Sequence, residues 1–158
     1  MQSGAPVEAT MQADGPAALR LFRPKDPHVA LGMAVEHLML APVFACLRFG
    51  DWSRVLVGQI NRGHYCFAID ESKCIQGFLG WALTTTDRAE AWLAGSAGLS
   101  SEDGRAGDCL IINAWSARSP KASRLLRDAA RSIGRGKQAR PREIMLQAKA
   151  KAMRLGQL

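Results

Sequence analysis

The sequence predicts a single α/β domain of the α+β kind, built on a mixed, largely antiparallel sheet flanked by helices. Three observations carry that prediction. Two extended apolar stretches, His64–Ile69 and Cys74–Ala82, flank the polar run Asp70-Glu71-Ser72-Lys73 and read as a hairpin with a four-residue turn. A third stretch, Cys109–Trp115, is apolar almost throughout and has the length of a strand buried on both faces. Helical periodicity precedes and follows these stretches, so helices are available to cover the sheet. With 158 residues the chain suits one core better than two.

The elements follow in order. Residues 1–24 are rich in Ala, Gly, Gln and Pro without a sustained period and are expected to form a loose leader ahead of a domain spanning 25–158. Asp26-Pro27 is a helix start, an N-cap carboxylate followed by proline at the first helical position. Val29, Ala30, Met33, His37 and Leu40 continue it at helical spacing until Pro42 stops or kinks the chain. A second helix runs from Asp51 or Ser53 to about Ile60 and ends at Asn61-Arg62-Gly63, where glycine can take the left-handed cap. After the hairpin, Thr84-Thr85-Thr86-Asp87 introduces a short helix in which Asp87 and Glu90 have capping-box spacing. Cys109–Trp115 is expected as the central strand. From Pro120 a basic amphipathic helix turns Leu125, Leu126, Ala129, Ala130 and Ile133 inward and lines its outside with arginines. Glu143–Leu146 is read as a last strand and Gln147–Leu155 as a basic tail helix.

Composition excludes several classes. Hydrophobic residues make up 47% and charged residues 22%, which is ordinary globular usage and unlike a disordered chain. No apolar run reaches the roughly 18 residues of a membrane span, and the N-terminal residues lack the basic start and apolar stretch of a secretory signal. A cytoplasmic protein without stable membrane insertion is expected. Four cysteines, Cys46, Cys66, Cys74 and Cys109, are spaced 20, 8 and 35 apart, matching neither a zinc site nor a redox pair, so no metal is expected and the thiols read as reduced. The net charge of +7 is uneven: residues 118–158 hold 12 of the 21 basic residues and only two acids. Such a surface favours acidic partners. They include nucleic acid, an anionic membrane face and an acidic carrier protein; nucleic-acid binding is the third functional reading, because the aromatic residues lie outside the basic segment and leave no stacking platform.

An ordered set of short matches then stands out: Leu31-Gly32, Leu38-Met39, Ala41-Pro42, Gly63-His64-Tyr65, Gly80-Trp81-Ala82-Leu83-Thr84, and Gly107-Asp108 with Leu110-Ile111-Ile112. In this order and spacing the sequence resembles, over about residues 30–117, the bacterial family that activates RTX toxins. That family moves a fatty acyl chain from acyl carrier protein onto an internal lysine. The resemblance implies an acetyltransferase-like fold, acyl carrier protein as donor with no bound cofactor, and a lysine of an unidentified protein as acceptor. It also leaves a homodimer open.

The departures bear on chemistry. The family's Ser-Pro pair precedes a catalytic histidine by one residue, and a strand aspartate pairs with that histidine. Here the family's active-site positions are Ala41, Phe44 and Asn113. Asparagine can hydrogen-bond but holds no charge to stabilise an imidazolium. His37, seven residues before Phe44, shares its face only if the helix continues through Pro42. His64, at a loop-to-strand junction, is a second substitute. Asn113 lies on an apolar strand, where it serves either a structural hydrogen bond or donation to the acyl thioester oxygen. Cys66 and Cys109 have no base within sequence reach. Arg118, Lys121, Arg124, Arg127 and Arg131 are the candidates for docking an acidic carrier.

Two functions follow from the resemblance. One is a protein-lysine acyltransferase whose catalytic groups are Asn113, His37 and His64. The other is a catalytically lapsed scaffold that binds acyl carrier protein or a regulated protein without turnover.

Overall fold

A computed structural model describes residues 18–100 and 102–135. The elements are β1 (Arg20–Phe22), α1 (Pro27–Leu38), α2 (Pro42–Ala45), α3 (Phe49–Arg62), β2 (Tyr65–Ile69), β3 (Ile75–Thr84), α4 (Thr86–Leu93), β4 (Cys109–Ala117) and α5 (Pro120–Ile133). The expected strand at Glu143–Leu146 and the tail helix after it lie outside the described residues.

The four strands pair in the order β1-β2-β3-β4, and every pairing is antiparallel. Side chains alternate along them, so the two faces of the sheet carry separate cores. On one face Phe67, Ile69 and Phe78 pack with Ala30, Ala34 and Leu38 of α1 and Trp52, Leu56 and Ile60 of α3. On the other, Cys66, Leu79, Trp81 and Leu110 meet Ala89 of α4 and Ala122, Leu126 and Ala130 of α5. The result is an antiparallel sheet between two helical layers. No helix among the described residues is long and apolar enough to cross a membrane.

The local signals explain most boundaries. The Asp26 carboxylate accepts from the backbone N–H groups of His28 and Val29, starting α1. Pro42 stands at the first position of the one-turn helix α2, which the sequence reading did not contain. Gly63 ends α3 in the left-handed conformation with φ 69°, which a side chain would strain. In the hairpin turn the Asp70 carboxylate accepts from the Cys74 N–H at 2.9 Å and from the Gln76 amide at 2.8 Å.

Four expectations are corrected. Residues 20–22, assigned to the leader, form β1, whose three residues are too few to show a period. The helix after β3 is capped by Thr85, which accepts from the Arg88 N–H, and not by Asp87. The sheet is wholly antiparallel among the described residues, not mixed. Among the described residues Cys109–Ala117 lies at the sheet's edge, not its centre. An apolar run reports burial on both faces, and here the layer of α1 and α3 covers one face of β4 while α4 and α5 cover the other.

Candidate functional site

Asn113 owes its direction to a backbone irregularity. Gly80 pairs with Ala114 while Trp81 pairs with Ile112, so Asn113 is an extra residue in β4, and such bulges re-aim a side chain. It points to α3, where Gln59 donates its Nε2–H to the Asn113 Oδ1. Gln59 is fully buried on the apolar stripe formed by Trp52, Leu56 and Ile60. Its amide lies against Gly80, where an added Cβ would come within 2.5 to 2.7 Å of three amide atoms. The asparagine is therefore tied to an amide inside the fold.

Phe44 lies elsewhere on the same face of the sheet. Its ring meets the edge of Trp52, with centroids 6.1 Å apart, and Phe49 stands on the same indole at 5.5 Å. Trp52 and Gln59 are seven residues apart on α3, about 10 Å along its axis. The two positions that the resembled family fills with histidine and aspartate thus contact different turns of α3. Ala41 caps α2 through its backbone alone, offering no side-chain hydrogen bond.

The two histidine candidates sit at opposite ends of β2. His64 stacks on Trp81, with ring centroids 5.8 Å apart and planes 16° from parallel. Burial, and then the Arg62 charge, lower its pKa, and a backbone hydrogen bond with Gly104 opposes them. His37 is only 2% exposed, and among the described residues neither ring nitrogen has a hydrogen-bond partner. Its pKa is lowered to about 4, first by burial and then by the Arg118 guanidinium; the Ser116 backbone, near the ring but outside hydrogen-bonding geometry, pulls the other way. His37 is neutral at pH 7. Leaving a buried polar group unpaired costs about 1–3 kcal/mol, so such a group is a marked feature of the fold.

His37 lines a cavity of about 630 Å³ at the hairpin end of the sheet. Arg118, assigned by the sequence to a docking stripe with α5, reaches this cavity instead. Arg20 and Lys73 join it there, with Glu36 as the one carboxylate among the described residues that line it. Sequence reasoning missed both Arg20 and Lys73: the first lay in the supposed leader, and the second in a turn whose fold partners are distant in the chain. Gln59 was legible as a polar residue at an apolar helical position, but its bond to Asn113 needed the bulge.

The rest of the docking stripe divides. Arg124, Arg127 and Arg131 are exposed on α5, opposite the buried Ala122, Leu126 and Ala130. Arg131 donates to Asp128 at 3.0 Å, and Lys121 is half buried. Burial also governs the inner thiols, pushing Cys66 up to about 11 and raising Cys109. Both are poor nucleophiles at neutral pH, since the thiolate is the reactive form. Among the described residues no group of three or more His, Cys, Asp or Glu side chains could hold a metal ion. No family model, curated protein or solved structure matches the chain.

Proposed function

We propose that this chain is an acetyltransferase-like scaffold that binds an acidic acyl carrier protein without turning it over. One observation carries the reading: Phe44 packs on Trp52 while Asn113 bonds to Gln59, so these two positions hold parts of the fold together and do not meet as a catalytic pair. Long-range attraction between the basic α5 face and an acidic carrier supports the choice of partner, with Arg124 and Arg127 as exposed contacts. The resemblance over residues 30–117 supplies the carrier as a class.

A second reading, transfer of a fatty acyl group from carrier to a lysine, is favoured by His37. There the lysine nitrogen would bond to the acyl carbon, the thioester C–S bond would break, and the amine proton would pass to the imidazole. General-base help of this kind is typically worth about 10²- to 10⁴-fold. A base with pKa about 4 is weakly suited to take that proton, which places this reading second.

Titration of long-chain acyl carrier protein against wild type and an R124E/R127E variant tests the first reading. Binding that weakens with salt and is lost in the variant supports it. Equal affinity and equal salt dependence in the two proteins exclude the basic face as the docking surface.

A further inference from the structure

We infer that the cavity between α1 and the β2–β3 hairpin is a binding site for a small amphipathic anion, a carboxylate or phosphate monoester carrying a short apolar chain. The inference goes beyond carrier docking and rests on the cavity alone, so either can fail without the other.

Charge sets the sign of the ligand. Among the described residues Arg20, Lys73 and Arg118 line the cavity against the single carboxylate of Glu36. Among the described residues none of these four side chains is in an ion pair, and Arg20 has only the Phe22 ring at 5.6 Å as a cation–π partner. Three cations facing one carboxylate leave room for an anion, and two guanidinium groups suit a planar or tetrahedral oxyanion.

The buried wall sets the orientation. Among the described residues His37 has no partner at either ring nitrogen and borders this space, so the neutral ring can donate one hydrogen bond to an entering oxygen. Phe22, Met33, Ile69 and Ile75 supply an apolar lining for a hydrocarbon chain. A volume of about 630 Å³ lies within the range of small-molecule sites.

The test is calorimetric titration of the full chain with octanoate and with octyl phosphate, each against octanol and against the free head groups acetate and inorganic phosphate. One of the two amphiphiles should bind at least about tenfold more tightly than octanol and than its own head group, the separation expected of one charge-assisted contact. The better of the two names the head group. Arg118→Gln should weaken that binding about tenfold. His37→Leu should weaken it as well, with His37→Gln recovering part of the loss, and Arg118→Gln keeps the test decisive if His37→Leu fails to fold. Octanol binding as tightly as both amphiphiles, binding unchanged in Arg118→Gln, or no binding at millimolar ligand would overturn the inference.

Discussion

The Gln59 amide on α3 donates to the side-chain oxygen of Asn113 in the β4 bulge, joining the helical layer to the sheet. Asn113→Ala should therefore destabilise the domain by about 1–3 kcal/mol, because it leaves the fully buried Gln59 amide without its partner. The Gln59→Leu/Asn113→Ala double variant should lose less than the sum of the single variants. Urea denaturation of all four proteins gives the coupling, and strict additivity would contradict the bond's structural role.

Gly80 is confined by the same amide. Gly80→Ala would put a methyl within 2.7 Å of three Gln59 side-chain atoms and should cost about 1–3 kcal/mol by overpacking. Gly80→Ala combined with Gln59→Ala should be tolerated better than Gly80→Ala alone. Thermal unfolding followed by circular dichroism reads both.

The buried histidines make stability depend on acid. His37 titrates near 4 in the fold against 6.5 for the free side chain, and burial lowers His64 too. Between those values the unfolded chain binds more protons, so stability should fall as pH drops from about 6.5 towards 4. Full loss of the His37 contribution corresponds to at most about 3 kcal/mol. His37→Gln should flatten this slope in denaturation curves measured at several pH values, leaving the smaller part due to His64. An unchanged slope would show that the ring is protonated in the fold.

The four thiols should separate into two classes. Cys46 and Cys74 are exposed, whereas Cys66 and Cys109 are buried with raised pKa values. Iodoacetamide at pH 7.5 should alkylate the first two while the native fold leaves the other two intact, as peptide mass mapping would report. Rapid labelling of Cys66 would contradict its place in the core.

The sequence made the helices and the hairpin legible because their signals are local. Asp26-Pro27 and Gly63 act on residues within a turn of themselves, and their predicted roles are the observed ones; the run from Asp70 was read as the hairpin turn, without the carboxylate's bond to Cys74. β1 was hidden because Arg20, Leu21 and Phe22 become a strand only by pairing with Phe67, Ala68 and Ile69, more than 40 residues away. The bulge at Asn113 was hidden for the same reason: an extra residue exists only relative to the partner strand. His37 and Arg118 were named separately, one as a helix residue and the other as part of a basic run. Only the tertiary fold brings them to one cavity, in company with Arg20 and Lys73.

The most direct test of the central claim is to incubate the purified chain with long-chain acyl carrier protein and a lysine-bearing acceptor, and to follow all intact masses while measuring carrier affinity. The expected result is a salt-sensitive complex in which the carrier loses its acyl group no faster than it does without this protein. Faster loss of the acyl group, with the added mass appearing on this chain or on the acceptor, would contradict it and make the chain an enzyme.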